Sequence, residues 1–196
     1  RPVARRWRPR CSRRPRRHLA SPVPVVGVVD PGVRAAVATG ARRIGVIGTE
    51  GTIRSGAYQS ALIDIDPAIE VRSVPSPLLV PLAEEGWGDH SLTDQVILHY
   101  LQPLMDWGAE ALILGCTHYP LLRPSLTRVV GEGVRLVDSA TTVADVVAED
   151  HAGLLDSGAS DGEVHIQLTD ASDRFLRITR AILGRDPEHL NVVDIT

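Results

Sequence analysis

A chain of 196 residues with 43% apolar and 23% charged residues can bury one sizeable core or two small lobes, which excludes a disordered polypeptide. No apolar run approaches the roughly 20 residues that a membrane-spanning helix needs, and no apolar stretch follows the basic N-terminus as in a secretory signal, so a cytoplasmic protein without a membrane partner is expected. The two cysteines, Cys11 and Cys116, form no C-x-x-C pair or Cys/His cluster; this excludes a disulfide framework and a zinc site of ordinary spacing, and leaves only free-thiol chemistry.

The net charge of −3 hides an uneven distribution: residues 1–18 hold nine of the 21 basic residues and no acid, which leaves twelve Arg against 24 acids in the remainder, about −12. Every basic residue is Arg and none is Lys, a bias that suggests a GC-rich genome more than a binding function.

From about residue 22 onward, short runs rich in Val and Ile alternate with segments of helical spacing, which predicts an α/β fold of parallel sheets flanked by helices. Residues 24–29 read as a strand, and Asp30-Pro31 then supplies an N-cap and a first-turn proline for a helix ending near Gly40. A strand over 43–48 and a helix over 52–64 follow. The strand 70–74 is stopped by Pro75 and Pro77, and a helix over 78–85 closes at Gly86. Leu92, Val96, Leu101 and Leu104 fall at roughly helical intervals in a helix over 91–107, which Gly108 is suited to end in a left-handed turn.

A buried strand over 111–115 runs directly into Cys116-Thr117-His118, ahead of a helix over 121–130. Beyond it come a strand at 134–137, a helix over 141–155 and a flexible link at 157–162. The last unit is a strand at 164–168, a helix over 172–183 and a closing strand at 190–195. There is no repeat at a solenoid period.

In open α/β sheets ligands sit beyond the C-terminal strand ends, where helix N-termini present free N–H groups. Gly48-Thr49-Glu50-Gly51-Thr52 places small hydroxyl residues and glycines there, suited to an anionic group such as a carboxylate. Gly115-Cys116-Thr117-His118 is the second such segment. A cysteine between strand and helix feels the positive end of the helix, which favours thiolate over thiol, and a nearby imidazolium adds to this. A free Cys after an apolar strand can equally be a small core hydrophobe, and a lone His a helix-end residue, so these residue types alone leave both readings open.

No G-x-x-x-x-G-K-[ST] loop, G-x-G-x-x-G after a strand, or G-x-S-x-G elbow occurs, which argues against nucleotide hydrolysis, a dinucleotide cofactor and hydrolase chemistry. With no lysine, a Schiff base to pyridoxal phosphate is impossible, so catalysis would have to proceed without a cofactor.

The segment Leu112-Ile113-Leu114-Gly115-Cys116-Thr117-His118-Tyr119-Pro120-Leu121-Leu122 resembles the second cysteine motif of glutamate racemases, within the aspartate/glutamate racemase family. Residues 24–32, residues 45–53 and Pro77-Leu78-Leu79-Val80-Pro81-Leu82 with Glu84 resemble the same family in the same order, so the likeness runs from about Ser21 to the C-terminus and weakens beyond residue 140. Aspartate racemases are similar but usually carry an acidic residue in place of His118, so the histidine favours glutamate.

The resemblance implies a two-lobed α/β enzyme that holds glutamate between pseudo-twofold related lobes and interconverts its enantiomers for peptidoglycan synthesis. Two thiols act on opposite faces of the α-carbon, as general base and general acid. Carried over, Cys116 is one catalytic thiol; Thr117, His118, Thr49 and Thr52 bind substrate; and Glu84 orients His118. The implied partner is glutamate, with neither metal nor cofactor and no nucleic acid; a homodimer is compatible with the family.

The likeness breaks at the N-terminus. Family members carry an Asp-Ser motif, a Tyr-Gly pair and a Cys-Asn-Thr motif ahead of the strand that resembles 24–29, whereas here residues 1–20 are Arg-rich and Cys11 is followed by Ser12 and Arg13. The first catalytic role is therefore not assigned to Cys11. A frameshifted or misplaced start is the expected origin of this segment, to be tested on the DNA upstream of codon 21; the competing reading is a genuine basic arm that binds nucleic acid. On this basis residues 30–145 are expected to form one complete lobe, while 21–29 and 146–196 belong to an incomplete second lobe with an exposed sheet edge, apolar patches and low stability.

Overall fold

The computed structural model describes residues 25–150, 152, 164–169 and 172–194. Cys11, the basic segment 1–20 and the link at 157–162 lie outside the described residues. Among those described, the elements run α1 (Val29–Ala38), β1 (Arg43–Gly48), α2 (Glu50–Ser55), α3 (Ala57–Ile65), β2 (Glu70–Pro75), α4 (Leu79–Glu84), α5 (Ser91–Asp106) and β3 (Ala111–Gly115). A 3-10 turn (Tyr119–Leu122) leads into α6 (Arg123–Val130), β4 (Arg135–Asp138), α7 (Ser139–Asp150), β5 (His165–Leu168), α8 (Asp173–Leu183) and β6 (His189–Val192).

Strands β1 to β4 form one sheet in the order β2-β1-β3-β4, every pair parallel, which bears out the expected α/β class. Because successive side chains on a strand face opposite ways, β1 and β3 feed two cores. On one face Ile44, Val46, Ala111 and Ile113 pack with Val33 and Ala36 of α1 and Tyr58 and Leu62 of α3. On the other, Ile47, Leu112 and Leu114 pack with Leu79, Ile97, Leu101, Leu104, Leu122 and Leu126 of α4, α5, the 3-10 turn and α6. Gly45 makes this second layer possible, since a Cβ there would stand 3.0 Å from both Leu104 and Leu112.

Three expectations are corrected. Residues 25–28 lie in no strand, and Val28, already in the right-handed helical region at φ −86°, ψ −21°, caps a helix that begins at Val29 without a side-chain cap. Asp30 is thus inside the first turn rather than at its cap; a strand needs a hydrogen-bonding neighbour, and no described strand lies beside this segment. The single helix expected over 52–64 is two helices, broken where Gly56 takes φ +64°. The helix after Cys116 is preceded by the 3-10 turn, because Pro120 and Pro124 deprive its start of amide donors and tighten the chain.

Strands β5 and β6 pair only with each other among the described residues, and Val25, Ile182 and Val192 are exposed. No described helix is long and apolar enough to cross a membrane.

Charged side chains tie the elements at the surface. Arg128 of α6 reaches Asp89 at 2.6 Å and Asp94 of α5 at 3.0 Å, while Arg43 of β1 donates to the Gly108 carbonyl at 2.7 Å and pairs with Glu110 at 3.1 Å.

Removing the side chain of fully buried Leu114 (Leu114→Ala) is expected to destabilise the chain by about 2–5 kcal/mol in urea unfolding, through lost transfer energy and the cavity left behind. The Arg128 side chain bonded to Asp94, the Ala68 amide bonded to Asp66 and the Arg42 amide bonded to Glu110 hold these carboxyls below their ordinary values of 3.8, 3.8 and 4.5. A depressed folded-state pKa contributes stability that is complete above the ordinary value and is lost as pH falls through the folded one. Urea midpoints are therefore expected to be insensitive to these groups at neutral pH and to fall below the ordinary carboxylate range, and the Asp94→Asn variant is expected to lose part of that acid dependence.

Candidate active site

The parallel register pairs Gly48 with Gly115 and Pro75 with Gly48, so the C-terminal ends of β2, β1 and β3 lie side by side. Adjacent strands are about 5 Å apart, which brings the residues that follow, Thr49 and Cys116, to neighbouring positions on one edge of the sheet. Thr49 caps α2: its Oγ1 accepts from Thr52 N–H at 3.3 Å and lies 3.0 Å from Thr52 Oγ1. Two glycines let this cap settle against the strands. A Cβ on Gly48 would be 3.1 Å from Thr52 Cγ2, and one on Gly115 would be 2.9 Å from the Ile47 carbonyl oxygen and 3.2 Å from the Tyr58 ring.

Cys116 is half-buried, with Sγ 3.8 Å from His118 Nδ1. The other ring nitrogen, Nε2, lies 3.4 Å from Glu84 Oε1 at the end of α4. The fold therefore lines up thiol, imidazole and carboxylate from the β3 turn to α4, although Glu84 and Cys116 are far apart in sequence. Thr117 is exposed at the tip of the turn. Of the six residues singled out in the sequence, Thr49 and Thr52 form one hydroxyl pair, Cys116, His118 and Glu84 form one file, and Thr117 is exposed in the turn between Cys116 and His118.

The thiol differs from expectation in one respect. Burial pushes the Cys116 thiol above its ordinary value, and the main-chain N–H groups of His118 and Tyr119 only partly oppose this by favouring thiolate. A short helical turn offers the anion only a few oriented dipoles, and these do not make up for the water that partial burial removes.

Two aromatic residues at this site carried no assignment in the sequence. Tyr58 of α3 packs its ring on Gly115 and Gly32, and its phenol is raised by burial and by the charge of Cys116. Its signal was weak: Tyr58 and Leu62, four apart, are both buried and look like any core stripe. Tyr119 sits inside the cysteine motif, but its partner, the Ser76 carbonyl, is 43 residues away.

Among the described residues no cluster of three or more His, Cys, Asp or Glu could hold a metal ion.

The fold thus sets a thiol beside a histidine on the sheet edge that also carries the Thr49–Thr52 hydroxyl pair, and comparison with known proteins shows the family. A family described as Asp/Glu/Hydantoin racemase matches residues 16–147, and the chain belongs to that family. It is 47% identical over 165 residues to a glutamate racemase of Geobacter metallireducens, covering 83% of this chain and 61% of that protein. With a glutamate racemase of Neisseria gonorrhoeae the identity is 40% over 176 residues, covering 88% and 65%. The crystal structure of a glutamate racemase from Bacillus anthracis superposes with a TM-score of 0.78 at 34% identity, covering 90% of this chain and 66% of that one. The enzyme from Francisella tularensis, solved in complex with D-glutamate, gives 0.77 at 31% identity, covering 89% and 65%. The chain thus spans 61 to 65% of the length of these curated relatives.

Placing a methyl group at the strand end (Gly115→Ala) is expected to cost about 1–3 kcal/mol by overpacking against the Ile47 carbonyl and the Tyr58 ring. The same variant should change the alkylation rate of Cys116 relative to native protein, because the adjoining turn must shift; an unchanged melting temperature together with an unchanged rate would show that the strand ends are looser than this packing requires.

Proposed function

We propose that this chain carries one half of the proton-transfer machinery of a cofactor-independent glutamate racemase, with Cys116 acting on one face of the substrate α-carbon. The observation that carries this reading is the file Cys116, His118, Glu84 at the edge where Thr49 and Thr52 present their hydroxyls. It is supported by the identity to glutamate racemases over most of the chain and by a solved relative that holds D-glutamate.

The roles follow from the chemistry of each group. With Nε2–H donating to the Glu84 carboxylate, the neutral imidazole presents Nδ1 to the thiol as an acceptor, so His118 can take the Cys116 proton as the thiolate forms. Thiolate then removes the α-proton of one enantiomer, and the thiol returns a proton to the same face in the reverse reaction. The Thr49 and Thr52 hydroxyls, with the open amides at the start of α2, suit a carboxylate of the substrate, and Thr117 reaches it from the turn. The division into lobes belongs to the same reading: residues 30–145 form the lobe that carries the thiol, and 21–29 with 146–196 belong to a second. The two separate sheets, β1 to β4 and β5 with β6, support that division.

The test is exchange of the α-hydrogen of glutamate in deuterated water, followed separately for each enantiomer. Deuterium is expected to enter at least one enantiomer, to be lost with Cys116→Ala, and to enter roughly 10²-fold more slowly with Glu84→Gln, the scale on which one acid/base group contributes. Exchange that survives in Cys116→Ala would remove the thiol from the reaction; no exchange above background with either enantiomer would end the reading for this chain.

A further inference from the structure

Besides the contact of His118 with Glu84, the turn that carries Cys116 is tied down at two further points. Its main chain closes locally, with Tyr119 N–H donating to the Cys116 carbonyl at 3.1 Å. Its second tie runs across the sheet edge: the Tyr119 hydroxyl donates to the Ser76 carbonyl at 2.9 Å, in a buried bond. Ser76 follows β2 directly, and its own N–H donates to the Gly48 carbonyl at 2.8 Å. The ends of β1 and β2 and the cysteine turn are thereby joined in one hydrogen-bonded unit through a side chain with no solvent exposure.

We propose that Tyr119 is the positioning residue of this site: its phenol, anchored on the Ser76 carbonyl, holds the 3-10 turn against the sheet so that the turn's amides and the His118 ring keep their places around the Cys116 sulfur. The geometry favours orientation over bulk stability. The Ser76 carbonyl also accepts from Leu79 N–H at 3.2 Å, so losing the phenol leaves it bonded and deprives only the turn of its anchor. Burial raises the phenol far above its ordinary range, which keeps it a neutral donor wherever the protein is folded. A four-residue 3-10 turn has too few internal bonds to keep its amides in register unaided.

The proposal deepens the racemase reading in naming the reaction that the turn serves, but its test needs no substrate, so the two can fail independently. The full chain is alkylated with iodoacetamide across the neutral to alkaline range, and the peptide containing Cys116 is followed by mass spectrometry. The native midpoint is expected above 9.0, in line with the burial of the thiol. In Tyr119→Phe, with its circular dichroism spectrum retained, the midpoint should rise by a further half unit or so, which slows alkylation at fixed neutral pH roughly threefold. Val33→Ala, a destabilising core change on the opposite face of the sheet, should leave the midpoint in place. A Tyr119→Phe profile that coincides with the native one would overturn the proposal, as would an equal shift in Val33→Ala. So would a Tyr119→Phe chain that no longer folds, since the phenol would then be a structural support rather than an orienting group.

Discussion

The site depends on a packing constraint at the ends of two adjacent parallel strands. Gly48 and Gly115 face each other in register; a Cβ on Gly115 would collide with the β1 main chain, and one on Gly48 would crowd Thr52. Because both Cβ atoms are missing, the α2 cap can press Thr52 onto the strands and α3 can slide the Tyr58 ring beneath the cysteine turn. Any larger residue at Gly115 would meet the main chain of β1, which cannot move without breaking its ladder on both sides. The closeness of the hydroxyl pair to the thiol thus follows from strand spacing together with two absent methyl groups, and needs no special contact between the groups themselves.

Much of this was legible in the sequence because the relevant signals are local. The strand at 43–48 coincides with β1 and the one at 111–115 with β3, since continuous Val/Ile/Leu runs bounded by glycine leave few alternatives for a doubly covered parallel strand. Gly108 takes φ +79°, as expected of a residue ending α5. The strand expected at 24–29 illustrates the limit. An apolar run can be a strand only where a neighbour supplies hydrogen bonds, and periodicity carries no information about neighbours, so Val25 to Val28 stay unpaired and lead into α1. Gly56 could not be recognised as a break for a related reason: an isolated glycine is tolerated within helices, and only the tertiary packing of α3 on the sheet decides that the chain turns there.

For the site, residue identity was legible, and the pairing of Glu84 with His118 was expected from the family resemblance, but the rest of the arrangement was not. Thr49, Thr52, Cys116 and His118 lie within short segments whose place at strand ends can be deduced from the α/β alternation. Glu84 and Ser76 enter from other elements, and only the register that sets β2 beside β1, with α4 following, carries them to the cysteine turn. The direction of the thiol's shift was misjudged for a physical reason: the helix-start dipole is visible from sequence, whereas the loss of water around Sγ depends on Tyr58, Tyr119 and the apolar layer of α4 and α5, none adjacent to Cys116 on the chain except Tyr119.

That reversal bears on how such a site could work in two directions. A racemase half-site has to begin one direction as thiolate and the other as thiol, so a sulfur held strongly in either form would serve only half the cycle. Burial alone favours the thiol form of Cys116. The amides of the turn lower the cost of the anion, and in the proposed reaction His118, beside Glu84, is the group that takes the proton when the anion forms. Burial and the turn's donors thus pull in opposite senses, and the balance between them is set by how firmly the turn is held to the sheet. This gives a neutral, buried phenol at Tyr119 a chemical consequence although it touches no reacting atom.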